Sequence, residues 1–323
     1  MVYFCKKQFL LKVFHSITDF KSNKKTIVTI GTFDGVHLGH QKILTRLLNS
    51  TLNNEFETLV LTFSQHPRSV LHAESNVKLL NSNSEKITLL EQKGIDNLII
   101  QNFDTSFSNQ TGEEFVKNIL VDQLHIQKII IGYDHKFGKN RSSDIHDLIY
   151  FGKKYHFDVE QISAQEIDAI AVSSTKIRKA ILDGNIDLAN QYLGYNFHFS
   201  GKVIAGKQLG RTIGFPTANL SLEKNQKILP KKGVYIVTGF WYNKQVNGIM
   251  NIGDKPTFND NKTTVEVHFI NLDEDLYGQE ITISILKFVR EEIKFDGLES
   301  LKNQIEKDKT VAINYFSEIN NVV

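Results

Sequence analysis

The sequence predicts an α/β domain built on a parallel sheet over residues 1–184. An antiparallel β-barrel domain with a C-terminal helix follows over residues 185–323. Three observations carry this. In the first part, short aliphatic or β-branched runs alternate with helical patterns and no hairpin spacing separates them, which means a parallel sheet covered on both faces. In the second part the pattern changes to period two, with strand-length runs at short spacing, which suits an antiparallel barrel. The 323 residues give each part enough chain for its own core.

Composition narrows the function classes. A net charge of +2 is too mild to argue for a nucleic-acid or membrane partner. Cys5 is the only cysteine, so no intrachain disulfide forms and a reducing compartment is expected. Lys6 and Lys7 precede Phe9-Leu10-Leu11, but Lys12 ends the apolar run and no small-residue cleavage site follows. No apolar segment reaches the ~18 residues of a membrane span. A cytoplasmic protein with small-molecule partners is expected, with its self-association left open.

In chain order, Thr26–Ile30 reads as a buried strand. Gly31 and Gly35 then break the pattern, and a helix begins near Leu38. A strand, a tight turn and a helix start aim backbone N–H groups and a helix dipole at an anion, usually a phosphate. The two glycines let the backbone come close to it. His37 and His40, three apart, share a face of that helix start. Such a pair is also found as a surface pair or as half a metal site, but no Cys and no Glu at zincin spacing joins them.

Glu57–Phe63 is the next strand, and Pro67 bars its continuation. Ser84 reads as the N-cap of a helix ending at Gly94. A strand follows over 97–100. Thr111 and Glu114 form a capping box that opens a helix to about Gln123. Residues 128–131 are a strand, 144–155 a helix, and 157–161 and 167–172 extended. Ser174 caps a helix to Asp183, closed by Gly184. Ligands of parallel sheets sit beyond the C-terminal strand ends, where the loop 132–141 and the segment 172–178 fall. The loop mixes cations with aromatics. The segment puts the Ser174 and Thr175 hydroxyls at a helix start with Lys176 and Arg178 in the first turn. Cations there oppose the helix dipole, and an anionic ligand removes the conflict.

Residues 31–40, Gly-Thr-Phe-Asp-Gly-Val-His-Leu-Gly-His, resemble the His-x-Gly-His signature of the nucleotidyltransferase superfamily. The full ten residues resemble the form found in bacterial bifunctional riboflavin kinase/FAD synthetases. Loop 132–141 and segment 172–178 are similar to that family's Gly-x-Asp-Phe-x-Phe-Gly and Ile-Ser-Ser-Thr-x-Ile-Arg patterns. The resemblance implies a Rossmann-like nucleotidyltransferase domain. In it Ser174, Thr175 and Arg178 hold the ATP phosphates. Gly31, Phe33, Asp34 and Gly35 contribute to the nucleotide site, and Asp134 and Phe137 line the FMN and nucleotide cleft. The sequence departs from the family at Gln65, His135 and Ser143. The implied chemistry is adenylyl transfer from ATP to the FMN phosphate, giving FAD and pyrophosphate. That nucleophile is already ionised, since a phosphate monoester has its second pKa at about 6. No general base is needed. The site must bring two anions together and stabilise charge on the α-phosphate, a task that suits His37, His40 and Arg178 as hydrogen-bond donors.

In the second part, 185–193 is a short connecting helix closed by Gly194. Strands are expected over 197–205, 233–242, 245–252, 264–269 and 280–288, with turns at Asn243-Lys244 and Asp273-Glu274-Asp275. A helix over 298–316 places Leu298, Leu301, Ile305 and Val311 on one face, against the barrel. The segment 206–220 is rich in glycine. Within it Thr217 and Asn219 alternate with apolar neighbours and so point the same way. Their neutral oxygens suit Mg²⁺, which takes few protein ligands beside phosphate and water. Glu266 stands mid-strand, where a solvent-facing role is the ordinary one.

Residues 210–219, 251–258, 265–268, 276–278 and 290–295 look like the riboflavin kinase domain of the same family. The resemblance implies that Thr217 and Asn219 bind Mg-ATP and that Glu266 is the base. It also places Gly210, Arg211, Gly214, Pro216 and Arg290 in the nucleotide and flavin site. A ribityl hydroxyl is a poor nucleophile, so phosphoryl transfer to it gains from a carboxylate that takes its proton. The expected function is bifunctional: riboflavin to FMN, then FMN to FAD, with ATP and Mg²⁺. Three other readings are weighed. One is a chain with a single working half, the kinase. Another is a flavin- or nucleic-acid-binding module. The third is a superfamily transferase using another phosphorylated acceptor or CTP.

Overall fold

The computed structural model describes residues 10–320, apart from 52–54, 72–76, 169–171, 207–209, 211–212, 223–226, 242–243, 258–259 and 273. The chain divides into two compact units, Met1–Ser174 and Thr175–Val323.

The first unit is a six-stranded sheet of β1 (Lys12–Phe14), β2 (Thr26–Ile30), β3 (Glu57–Phe63), β4 (Asn97–Gln101), β5 (Ile126–Gly132) and β6 (Asp158–Ile162). Its order is β1-β4-β3-β2-β5-β6, and every neighbouring pair runs parallel. All five residues of β2 are buried, as the β-branched run requires of a strand covered on both faces. Alternate residues feed two cores. Val28, Leu59, Leu61, Ile129 and Ile131 enter one, and Ile27, Val60, Leu98 and Ile130 enter the other. The chain winds from β2 outward through β3 and β4, and β5 then returns to the other edge of β2. A crevice therefore opens at the C-terminal ends of β2 and β5, the switch point where doubly wound sheets bind ligands.

The helices of this unit are α1 (Leu38–Asn49), α2 (Pro67–Leu71), α3 (Asn83–Glu91), α4 (Thr105–Ser108), α5 (Gly112–Glu114), α6 (Ile145–Tyr155) and α7 (Ala164–Asp168). The Thr111/Glu114 capping box forms, and α5 continues as a π-helix over Phe115–Val121. Two expectations are corrected. The N-cap of α3 is Ser82, not Ser84, because Ser82 and Glu85 complete a reciprocal capping box two residues earlier. Ile167 and Asp168 are helical rather than extended. Ser163 and Glu166 bond reciprocally in front of them, Ser163 N–H to Glu166 Oε2 at 3.0 Å and Glu166 N–H to Ser163 Oγ at 3.3 Å.

Helix α8 (Ser174–Leu182) starts on the last residue of the first unit. α9 (Ile186–Leu193) follows, capped by Asn185 and closed by a left-handed Gly194. The barrel strands are β7 (His198–Ile204), β8 (Ala218–Leu222), β9 (Gly233–Trp241), β10 (Lys244–Thr257), β11 (Asp260–Phe269) and β12 (Glu280–Arg290). They close in the order β10-β11-β8-β7-β12-β9, antiparallel throughout. Strand β8 begins within the glycine-rich segment 206–220, where no strand is expected, and β1 is likewise unexpected. Residue 242 of an expected strand and residues 243 and 273 of the expected turns lie outside the described residues.

Helix α10 (Leu298–Asn320) covers the outside of the barrel with a face that matches the expected one only in part, at Ile305 and the half-buried Leu301. Leu298 and Val311 are exposed, whereas Ile305, Ala312, Tyr315 and Phe316 pack with Ile236 and Ile249. The true stripe passes through a charged residue, Asp308, which a search for apolar periodicity skips. Asp308 is 3% exposed. It accepts Arg290 Nη2 at 2.7 Å, Arg290 Nε at 3.0 Å and Gln304 Nε2 at 2.9 Å. Removing one partner of a buried pair leaves the other charge uncompensated, at a cost of about 3–5 kcal/mol. Arg290→Ala should destabilise the barrel by about 3 kcal/mol in urea unfolding followed through the single tryptophan, Trp241 of β9. An unchanged midpoint would show that the pair does not hold α10 in place.

Candidate active sites

The first site forms where β2 ends. Between Gly31 and His37 the backbone takes positive φ at Phe33 (45°), Gly35 (87°) and Val36 (35°). For a phenylalanine and a β-branched valine this is strained, of order 1–3 kcal/mol each, and it persists only where surroundings enforce it. Here both side chains are buried, and Val36 N–H donates to the Phe33 carbonyl at 3.1 Å. The Thr32 carbonyl accepts Lys86 Nζ at 2.9 Å and Thr62 Oγ1 at 3.0 Å. Asp34 is buried, its Oδ1 accepting Leu80 N–H at 2.8 Å. The Asp34 carbonyl accepts the Ser174 hydroxyl at 2.9 Å. Ser174, expected at the phosphates, therefore stands beside the signature turn.

His37 caps α1. Its Nδ1 accepts His40 N–H at 3.4 Å, which leaves the proton of a neutral ring on Nε2. The His37 and His40 rings stack at 3.7 Å between centroids and 16° between planes, and Phe33 lies 5.1 Å from His40. Burial, then the neighbouring charges of His37 and Lys86, hold His40 well below the usual histidine range. His40 Nδ1 is buried without a hydrogen-bond partner. The pair is thus a preformed set of ring nitrogens at a helix N-terminus, with His40 held toward its neutral form by burial. On α8, Thr175 is exposed and Arg178 half-buried.

The loop after β5 separates its two expected residues. Asp134 is exposed, while Phe137 belongs to the core. Its ring lies 5.8 Å from Phe115, and its backbone exchanges hydrogen bonds with Ser143 at 3.0 and 3.1 Å. Ser143 fits because Gly112 faces it. A Cβ on Gly112 would come within 2.1 Å of Ser143 Oγ. His135 stacks on Phe137 at 6.1 Å, and burial, opposed by Asp134 and aided by Arg141, pushes it down to about 4. Gln65 is exposed.

Sequence reasoning missed Lys86, which is 4% exposed. The signal was present, a cation in the first turn of a helix, as it was at Lys176 and Arg178.

The second site is on the barrel. Glu266 of β11 pairs with Asn219 of β8 and with Asn251 of β10. Directly paired residues share a face, so the three side chains form a row opposite the buried Ala218, Met250, Ile252, Val265 and Val267. Thr217 Oγ1 donates to Glu266 Oε2 at 3.3 Å. Gly206 backs Asn219, and a Cβ there would come within 2.2 Å of Asn219 Nδ2. The Gly210 carbonyl accepts Phe215 N–H at 2.7 Å, and Gly214 turns at φ 87° in the open. His268 was also missed. It follows Glu266 by two and so shares its face. Its Nδ1–H donates to the Pro216 carbonyl at 2.9 Å, and its ring meets Phe215 at 5.3 Å. Arg211 lies outside the described residues. Arg290 is committed to Asp308 and, through Nη1, to the Glu291 carbonyl at 2.9 Å.

Among the described residues no group of three His, Cys, Asp or Glu could hold a metal ion. The barrel instead offers one hydroxyl, one amide and one carboxylate together. That set fits a hard divalent cation whose other ligands are phosphate oxygens and water.

Two family models match, one described as FAD synthetase over residues 19–176 and one as riboflavin kinase over residues 193–316. The curated bifunctional riboflavin kinase/FMN adenylyltransferase of Buchnera aphidicola (subspecies Schizaphis graminum) is 39% identical, covering 96% of this chain and 99% of its own. Those of Haemophilus influenzae (37%, covering 90% and 94%) and Escherichia coli K12 (35%, covering 90% and 92%) are similar too. A solved chain from Streptococcus pneumoniae, described as a macrolide-efflux protein, superposes with a TM-score of 0.85 at 27% identity, covering 94% of this chain and 99% of its own. No helix among the described residues is long and apolar enough to cross a membrane. The fold and the two sites define a nucleotidyltransferase joined to a kinase barrel. The chain belongs to the family of bifunctional riboflavin kinase/FMN adenylyltransferases.

The histidine environments predict a pH response. His135 has a folded value near 4 against 6.5 when free. As pH falls from 6.5 toward 4 the unfolded chain binds the proton first, so His135 draws stability out of the fold across that window. In an NMR titration His135 should show a midpoint near 4, and His40 should titrate below the ordinary histidine range. A midpoint near 6.5 for both would contradict the buried, neutral arrangement.

Proposed function

We propose that this chain makes FAD from riboflavin in two ATP-dependent steps. The barrel transfers the γ-phosphoryl group of ATP to riboflavin, giving FMN. The α/β domain transfers the adenylyl group of a second ATP to FMN, giving FAD and pyrophosphate. The observation that carries this reading is that one chain holds both a carboxylate paired with a hydroxyl, Glu266 and Thr217, and a stacked histidine pair at a helix N-terminus. The two sites answer two different chemical demands. Our reading keeps the boundary between the two catalytic domains at 184/185, ten residues beyond the division of the chain into its two compact units after Ser174.

In the barrel, Glu266 accepts the proton of the ribityl hydroxyl as its oxygen attacks the γ-phosphorus. The hydrogen bond from Thr217 orients the carboxylate. Thr217 and Asn219 would hold Mg²⁺, which when bound neutralises phosphate charge. Gly206 leaves room for the Asn219 amide, and His268 steadies the Phe215-Pro216-Thr217 segment. Gly210, Arg211 and Gly214 shape the loop around the nucleotide. Arg290 acts at a distance by seating α10.

In the α/β domain the FMN phosphate attacks the α-phosphorus of ATP and pyrophosphate leaves. Above pH ~6 that phosphate carries its charge without help, which agrees with the absence of a mechanism step needing a base. His37 and His40 donate hydrogen bonds to the transferring group. Gly31, Phe33, Asp34 and Gly35 form the turn under the nucleotide, and Ser174, Thr175 and Arg178 attend its phosphates. Asp134 stands on the flavin side, with Phe137 as the buried support of that loop. ATP as a substrate and a lone Cys5 support a cytoplasmic location.

Glu266→Gln tests the barrel assignment. Phosphorylation of riboflavin, followed by chromatography of the flavins, should fall by about 10²–10⁴-fold. Adenylylation of supplied FMN by the same protein should be unchanged. Unimpaired phosphorylation would remove Glu266 from the role of base.

A further inference from the structure

We propose that Lys86 is a positioning residue for adenylyl transfer, its ammonium group fixing the Thr32–Gly35 turn from behind and placing a positive charge beneath the reacting phosphates. This inference rests on the adenylyltransferase reading of the α/β domain and deepens it.

The ammonium is electrostatically disfavoured where it stands. It is 4% exposed, and it occupies the first turn of α3, the positive end of that helix. A fold that needed only a filler at this point would do better with an apolar side chain. Lys86 instead spends its donors on the elements that frame the site. Nζ donates to the Thr32 carbonyl at 2.9 Å, to Thr62 Oγ1 at 3.3 Å and to the Phe63 carbonyl at 3.5 Å. Thr62 Oγ1 in turn donates to the same Thr32 carbonyl at 3.0 Å. One ammonium thus ties the exits of β2 and β3 together directly ahead of Phe33, where the chain enters its left-handed turn.

Two electrostatic consequences follow. Burial draws Lys86 down to about 8 while Asp34 opposes the fall, so the group stays largely charged at neutral pH. The same cation, together with His37, disfavours protonation of His40. A fixed positive charge in a low-dielectric site favours the approach of two phosphate-bearing substrates without itself touching them.

The test compares Lys86→Met and Lys86→Arg with the wild-type chain, measuring FMN adenylylation and riboflavin phosphorylation on the same preparations. Lys86→Met should lower kcat for adenylylation by about 10²-fold, the cost of a misplaced catalytic turn, with a much smaller change in KM. Phosphorylation should be unchanged, which shows that the barrel is folded, and the nearly unchanged KM of the residual adenylylation shows that the α/β unit still binds its substrates. Lys86→Arg should recover most of the lost rate. The acidic limb of the adenylylation pH profile should move to higher pH in Lys86→Met, because His40 then loses a facing cation while burial and His37 still disfavour its protonation. Adenylylation that survives Lys86→Met overturns the proposal. So does a parallel loss of both activities in both variants, which would make Lys86 a folding residue only. A wild-type chain that makes FMN and never converts it refutes the reading of the α/β domain itself, and this inference falls with it.

Discussion

The Thr32 carbonyl accepts the Lys86 ammonium and the Thr62 hydroxyl, and these two bonds anchor the turn that follows it. Phe33 and Val36 are held at backbone angles that neither side chain prefers. The restraint comes from β3, from α3, from the Leu80 N–H on Asp34 and from the Ser174 hydroxyl. Because that turn is fixed, α1 starts where it does. Because α1 starts there, His37 caps it and His40 stacks beneath His37. The sheet topology sets the location, since the turn lies at the switch point between β2 and β5.

The barrel solves a different problem with different parts. Its nucleophile is a hydroxyl that must lose a proton, so a carboxylate stands ready, oriented by Thr217. The adenylyl site receives a nucleophile that is already an anion, and its reactive side chains serve as hydrogen-bond donors rather than as a base. The two sites also reach rigidity differently. The histidine pair rides on a strained turn with many anchors. Glu266, Asn219 and Asn251 are brought together by strand register, and a one-residue slip of any of the three strands would turn its member toward the barrel interior.

Much of this was legible in the sequence because local chemistry and long-range arrangement agree. The β-branched run of β2, the glycines after it and the His-x-Gly-His spacing specify strand, turn and helix cap without tertiary knowledge. The failures share a cause. Lys86, Asp308 and His268 are polar side chains buried by contacts with residues far away in sequence, and no periodicity reports a buried charge. The face of α10 was misjudged for that reason, since its packed stripe runs through Asp308. Strand β8 was obscured by the glycines and proline before it. Ser84 lost the N-cap to Ser82 because the capping box begins there, and the two serines differ only in which reaches Glu85 at the right spacing. The departures at His135 and Ser143 also prove local, with Gly112 making room for Ser143.

The two sites are chemically separate, so each half should complete its own step in a chain whose other half is inactive. The most direct measurement mixes two inactivated proteins, Glu266→Gln and His37→Ala, with riboflavin, ATP and Mg²⁺, and follows the flavins by chromatography. The account predicts that His37→Ala alone stops at FMN, that Glu266→Gln alone leaves riboflavin untouched, and that the mixture produces FAD. Failure of the mixture to form FAD, when Glu266→Gln still adenylylates supplied FMN, would contradict it.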